Sequence, residues 1–203
     1  MNGYDIKRLK DLDSSSVKLS AFKNKKNPNL EKYFLHFALD EDKVNKNAVY
    51  VVFDVDTKEV ILYFSLRAGM VSDFSNVRLN LKLKKKVSLN TQSNNNENVF
   101  KVPDIIPAIE LSYFCRNLSY SKSKQAKGIG AFIFHSEIYP FIKEIKKLLG
   151  FKILFLYAAD SSKDGTLIKY YKDKLGFFVG DEAPMIAFQP IIDSDCKFMY
   201  QPI

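Results

Sequence analysis

Two hydrophobic rhythms run along the chain, one of period two and one near 3.6, and the switches between them outline a mixed α/β architecture. Near the N-terminus "YDIKRL" reads as a short edge strand, and the polar stretch "DSSSVKLSAFKNKK" carries the chain away from it. In "NPNLEKYFLHFALDEDKV" the positions Leu30, Tyr33, Phe34, Phe37 and Ala38 share one helical face, with Asn29 placed to cap the first turn. Two β-branched apolar runs follow, "AVYVVFDV" and "EVILYFSLRAG", joined through "DTK" as a hairpin.

From Met70 to Asp104 the rhythm weakens. "VRLNLKLKKKVSL" alternates like an exposed strand and "NTQSNNNEN" is of low complexity, so residues 70–104 read as an inserted ribbon or loop between the third and fourth strands. This insertion marks no domain boundary, because the next strand, "IPAIELSYFCRN", needs neighbours on both sides. The remainder alternates helix and strand: a helix from about Lys127 to Leu149, the strand "FKILFLYAA", and a helix "TLIKYYKDKL" closed by Gly176. Pro140 predicts a kink or a break in the first of these helices. Strands at "FFVG" and "MIAFQPI" complete a mixed sheet.

Composition narrows this picture. With 203 residues, 46% of them hydrophobic, the chain can bury one sizeable core, and a single domain over residues 1–203 is expected. There is no apolar run of membrane-spanning length and no signal-like start, which predicts a soluble, cytoplasmic protein. Cys115 and Cys196 suggest neither a disulfide framework nor metal-ligand spacing, and no metal is expected. The formal charge of +8 suits a polyanionic partner, nucleotide or nucleic acid, and equally suits ordinary solvated lysine-rich faces. Two acidic turns resemble calcium loops and fail as such: "DVDTKE" lacks the required glycine, and "DSSKDG" has Tyr171 where a bidentate Glu is needed.

The stretch "KSKQAKGIGAFIFHSEI" places two glycines where an apolar helix begins. A dinucleotide fingerprint would need a third glycine at Ile133, and a Walker loop would need Lys and Ser or Thr where Ala131 and Phe132 stand. What remains is Gln/Arg-x-x-Gly-x-Gly after a strand and opening a helix. First-turn N–H groups lack intrahelical acceptors, so Gly128 and Gly130 would let a pyrophosphate approach them without Cβ obstruction. A plain glycine loop before an ordinary helix fits the same six residues.

In their order, "IPAIELSYFC", "QAKGIG", "ILFLYAAD" and "LIKYYKDKLGF" resemble the GNAT N-acetyltransferases. The front half, "LEKYFLHFALDEDK" through "EVILYFSLRAG", is similar to the GNAT toxins of toxin–antitoxin modules and their bacterial relatives. The resemblance implies an acyl-CoA N-acyltransferase fold with splayed central strands. It also implies acetyl-CoA as cosubstrate and a primary amine as acceptor, which in the toxins is the α-amine of aminoacyl-tRNA. A small antitoxin and self-association are implied as partnerships. Acetylation of a small-molecule or protein amine, and a silent acyl-CoA-binding protein, remain alternatives.

By the same resemblance Gln125, Ala126, Lys127, Gly128, Ile129 and Gly130 bind the pyrophosphate, and the strand at Phe114, Cys115 and Arg116 pairs with the pantetheine arm. A main-chain N–H near Cys115 or Arg116 would hold the oxyanion. Tyr171, or else Tyr170, would be the acid that protonates the departing thiolate, Tyr171 being favoured. Glu110 resembles the general base of lysine-acetylating members, or else is a structural, hydrogen-bonded residue; period two puts it on one face with Ser112, Phe114 and Arg116, and burial there would raise its pKa. An acceptor α-amine, with an ordinary pKa of about 7.7–8.0, needs less help from a base than a lysine does.

Overall fold

The structure, a computed structural model, describes residues 3–13, 16–73, 104–122, 127–160, 162–180, 185–187 and 196–203. In chain order the elements are β1 (Tyr4–Arg8), α1 (Pro28–His36), α2 (Ala38–Lys43), β2 (Ala48–Asp54), β3 (Val60–Asp73) and β4 (Asp104–Arg116). Then come α3 (Ile129–Ile133), α4 (Tyr139–Leu149), β5 (Ile153–Ala158), α5 (Thr166–Leu175), β6 (Phe178–Val179), β7 (Met185–Ala187) and β8 (Lys197–Pro202). Most of the 70–104 ribbon, with "VRLNLKLKKKVSL" and "NTQSNNNEN", lies outside the described residues.

The sheet runs β1-β2-β3-β4-β5-β8-β6, and β7 pairs with the far end of β3. Among the described residues the central strand pair, β4 with β5, is the one that runs parallel. Because α3 and α4 form the crossover between these two strands, they and α5 share one face, closing over Phe64, Ile133, Phe134, Ile142 and Leu154. On the opposite face α1 packs onto β2 and β3: Phe34 stacks on the fully buried Tyr63 ring, and the Tyr63 hydroxyl donates to the Leu30 carbonyl at 2.9 Å. Among the described residues no helix is long and apolar enough to cross a membrane.

Several boundaries differ from the pattern reading. The helical cap is Asn27, whose side chain accepts from the Leu30 N–H at 3.3 Å, and Asn29 lies inside the helix. Pro28 explains this, since proline is pre-organised for the first helical position, where its missing N–H costs nothing. The expected single amphipathic helix divides at Phe37, which leaves the helical region at φ −124°. β8 was not expected at all: its short "KFMYQP" follows a polar run and reads as a tail, yet it supplies the partner of β5.

Pro140 acts through a π turn. Helical backbone is continuous from Ile129 to Leu149, but Phe134–Ile138 is π-helical, with the Tyr139 N–H donating back to Phe134. The wider turn lies immediately before the proline, where a regular α-helix would meet its missing donor and its ring.

The segment after β4 is tied to the β2–β3 hairpin by one carboxylate. Asp54 Oδ1 accepts the Asp56 and Thr57 N–H groups at 2.9 Å, forming the turn; Oδ2 accepts the Tyr120 hydroxyl at 2.6 Å and Lys122 Nζ at 2.9 Å. Asn117 adds a bond from Nδ2 to the Val60 carbonyl at 2.7 Å, and Ser121 Oγ donates to Glu59. Burial alone would raise the Asp54 pKa, but the bonds from Tyr120, Thr57, Lys122 and Asp56 outweigh it and hold the carboxyl well below its usual range.

Asp54→Asn is therefore expected to cost roughly 1–3 kcal/mol at neutral pH. The folded pKa lies below the unfolded value of about 3.9, so this contribution is complete above that value and fades as pH falls beneath it. Urea melts of both proteins should show a stability gap at pH 7 that narrows by pH 3.

Candidate active site

β4 and β5 pair only at Ala108–Ile153, Ile109–Leu154 and Glu110–Phe155. Beyond these residues β4 continues to Arg116 and β5 to Ala158 without bonding each other, and a wedge opens between them. The β3–β4 register accounts for the parting. Ser65 faces Tyr113 and Leu66 faces Leu111, so Ser112 is an extra residue, a bulge that bends and twists β4.

The bulge also reverses which side chains share a face. Ile109, Leu111 and Phe114 pack against the α3–α5 side, whereas Tyr113 and Cys115 join the α1–α2 side. The expectation that Glu110 shares a face with Phe114 and Arg116 is thus overturned, because period two does not survive an inserted residue. Glu110 instead meets Arg67 of β3, directly opposite it: Nε and Nη2 of Arg67 donate to its Oε2 at 3.1 and 2.6 Å. Burial opposes the Arg67 charge, the Glu110 carboxylate outweighs that, and Tyr113 and Glu41 of α2 add to the rise in its pKa. The Glu110 carboxylate is buried, as expected, but engaged in an ion pair.

Main-chain alternation fixes what lines the wedge. The Asn117 N–H donates to the Ile61 carbonyl at 2.9 Å, which turns Cys115 and Tyr113 toward β3 and leaves the main-chain groups of Phe114 and Arg116 facing outward. The Arg116 carbonyl accepts from Asn24 Nδ2 at 3.1 Å. Asn24 Nδ2 also lies 3.0 Å from Cys115 Sγ on the other face, where burial pushes that thiol up to about 12. Cys115 contributes backbone geometry here; its thiol, 3.9 Å from the Arg116 carbonyl, lies on the α1–α2 side and is protonated.

At the start of α3, Gly128 adopts φ +83°, and the first helical bond runs from the Phe132 N–H to the Gly128 carbonyl at 3.1 Å. The N–H groups of Ile129, Gly130 and Ala131 therefore precede any intrahelical acceptor. The Ile129 side chain is buried in the core while Lys127 and Gly128 are exposed, and an open depression of about 530 Å³ adjoins them. Gln125 and Ala126 lie outside the described residues. A Cβ on Gly130 would come 2.9 Å from the Tyr170 hydroxyl and 3.6 Å from the Phe114 ring. No Cβ fills this junction, which suits the close approach of an extended, phosphate-bearing ligand.

α5 carries the two tyrosines. Asp160 caps it, Oδ2 accepting the Leu167 and Ile168 N–H groups at 2.8 and 3.0 Å, and Gly176 ends it at φ +78°. That carboxylate-rich turn is therefore a helix cap. Tyr171 is 7% exposed and packs edge-to-face on Phe177 in the core; burial raises its pKa, with Tyr170 and Cys115 adding. Tyr170 is half-buried, with its hydroxyl beside Gly130; burial raises its pKa too, and the Arg116 guanidinium opposes the rise. Of the two, Tyr170 is the one that meets Gly130, Phe114 and Arg116.

Arg67 and Tyr157 were missed in the sequence. Burial raises the Tyr157 pKa, the Glu110 charge adds and Arg67 opposes, so this β5 hydroxyl belongs to the electrostatics of the Arg67–Glu110 pair. A lone arginine in the apolar run "ILYFSLRAG" was the available signal. His36 is exposed, and His135 Nε2 bonds the Lys174 carbonyl at 2.7 Å. Among the described residues no His, Cys, Asp and Glu side chains cluster as a metal site.

A wedge between two central parallel strands, with a glycine turn and helix start beside it, is the arrangement of the GNAT acyltransferase fold, and comparison with solved structures gives this fold over the whole chain. AtaTR bound with acetyl-CoA is similar at a TM-score of 0.63 and 17% identity, covering 100% of this chain and 95% of that one. AtaT complexed with acetyl-methionyl-tRNAfMet follows at 0.59 and 18%, over 92% and 94%. A tyrosine-to-phenylalanine mutant of KacT gives 0.59 and 14%, over 98% and 94%. No protein-family model and no curated protein matches the chain.

Proposed function

We propose that this protein is an N-acetyltransferase that moves the acetyl group of acetyl-CoA directly to a primary amine, and that this amine is the α-amine of an aminoacyl-tRNA. One observation carries the reading: the Tyr170 hydroxyl, the Gly128–Gly130 helix start and the outward-facing main chain of Phe114 and Arg116 meet at the same wedge. The first-turn N–H groups of α3 take the pyrophosphate, with Lys127 adding charge. The Phe114 and Arg116 main chain pairs with the pantetheine arm, and the Arg116 N–H faces the thioester carbonyl oxygen.

We assign the acid to Tyr170 in place of Tyr171. As the amine attacks the acyl carbon and the C–S bond breaks, the Tyr170 hydroxyl gives its proton to sulfur and recovers one from the new ammonium. Its raised pKa keeps it protonated at neutral pH. Glu110, engaged with Arg67, acts by positioning groups at the opposite mouth rather than as a free base, which suits an α-amine already partly neutral near pH 7.7–8.0.

Support for the acceptor comes from the +8 charge, which favours a polyanion, and from AtaT, which has been captured with acetyl-methionyl-tRNAfMet. An AtaT mutant has also been solved with the C-terminus of its antitoxin, which supports an antitoxin as a partner of this chain. A second reading, an acyl-CoA-binding protein without chemistry, is favoured by the Arg116 guanidinium within electrostatic reach of Tyr170. Acetylation of a small-molecule or protein amine would use the same wedge.

Tyr170→Phe should lower kcat for acetyl transfer by roughly 10²-fold or more, with KM for acetyl-CoA little changed, while Tyr171→Phe stays within a few-fold of wild type. Thiol release measured over time separates the two, and full activity in Tyr170→Phe would remove the acid assignment. Cell-free translation should be inhibited only when acetyl-CoA is present. Translation unaffected by active enzyme would exclude the aminoacyl-tRNA acceptor and leave the other amines.

A further inference from the structure

Where β4 ends, residues 116–118 meet the chain that enters α1. The Lys23 N–H donates to Asn117 Oδ1 at 3.0 Å, and the Leu118 N–H donates to the Lys23 carbonyl at 2.8 Å. Asn24 follows, 8% exposed, and its side-chain nitrogen serves two acceptors, the Arg116 carbonyl at 3.1 Å and Cys115 Sγ at 3.0 Å. Its other polar groups are bonded as well. The Asn24 N–H donates to Glu31 Oε2 at 2.7 Å, and the Asn27 N–H reaches both Oδ1 and the carbonyl of Asn24, at 3.0 and 3.1 Å.

The bonds to Glu31 and Asn27 suffice to build the turn into α1. The side-chain nitrogen does something else: it reaches the part of β4 whose outward groups have no partner once β5 has parted from it. Its two acceptors flank the Arg116 N–H along the chain, one on the residue before it and one on Arg116 itself. The next peptide plane is fixed by the Asn117 N–H on the Ile61 carbonyl at 2.9 Å. Held at both ends, the Arg116 N–H has little freedom to turn from the wedge. The same contact satisfies the Arg116 carbonyl, a dipole that would otherwise point its negative end toward a developing oxyanion.

We propose that Asn24 is a positioning residue for acetyl transfer: its side-chain amide stands in for the absent strand at Arg116, satisfies that carbonyl and aims the Arg116 N–H at the acyl oxygen. This role rests on the reading of the wedge as the acetyl-CoA site. It also ties the oxyanion donor to α1, the first helix on the opposite face of the sheet, so that one side chain holds the two faces in register.

Two variants remove the donor. Asn24→Ala deletes the amide, and Asn24→Asp keeps its shape and the acceptor for the Asn27 N–H. Each should lower kcat for acetyl transfer roughly tenfold or more, with KM for acetyl-CoA within about threefold of wild type. Glu31→Gln disturbs the same turn without touching Arg116 and should keep the wild-type kcat. Circular dichroism melts identify the folded variants, and either Asn24 variant suffices. Amide exchange supplies a readout besides activity: in a folded Asn24 variant acetyl-CoA should still slow exchange at Phe114 but no longer at Arg116. An Arg116 amide protected as in wild type, an unchanged kcat, or a loss of kcat matched by Glu31→Gln would each overturn the proposal. Failure of both Asn24 variants to fold would overturn it too, making Asn24 a structural residue. A wild type in which acetyl-CoA protects neither Phe114 nor Arg116 would overturn the acetyl-CoA reading itself, and this role with it.

Discussion

Beyond Glu110 and Phe155 the two central parallel strands cease to bond, so Phe114 and Arg116 hold main-chain groups toward an open wedge instead of a neighbouring strand. A strand inside a sheet ordinarily satisfies its main-chain groups through both of its neighbours. The Ser112 bulge twists β4 away, and the rest of the structure is arranged around the gap: α3 starts beside it, α5 directs a tyrosine into it, and Asn24 bonds the last outward carbonyl.

The same bulge separates two chemistries onto two faces. On the helix side, the Gly130 junction, the Tyr170 hydroxyl and the outward amides suit a long thioester with a phosphorylated end. The α1–α2 side holds Arg67, Glu110, Tyr113 and Tyr157, a charged and aromatic mouth suited to an incoming amine. Donor and acceptor would then approach one carbonyl carbon from opposite sides of the sheet, which is the geometry a direct transfer needs. The long lead-in to α3 does not close the wedge over residues 117–122, because Asp54, Glu59 and Val60 draw it back onto the β2–β3 hairpin.

Much of the fold was legible because its signals are local. The hairpin of β2 and β3, the glycine turn, the Gly176 terminus of α5 and the effect of Pro140 follow from residue chemistry within a few positions. The face of Glu110 was not legible, since a single extra residue at Ser112 inverts a period-two reading and carries no sequence mark of its own. The choice between Tyr170 and Tyr171 depends on helical phase, which Asp160, Gly165 and the packing of Tyr171 on Phe177 set together. Arg67 became meaningful only when the register placed it opposite Glu110. β8 escaped because a short, half-exposed strand after a polar run is recognisable only from its partner β5.

Amide hydrogen exchange along β4, followed by NMR with and without acetyl-CoA, tests the wedge most directly. The N–H groups of Phe114 and Arg116 should slow when acetyl-CoA is added, while those of Tyr113 and Cys115, already bonded to β3, should change little. Exchange at Phe114 and Arg116 that is indifferent to acetyl-CoA would contradict the account.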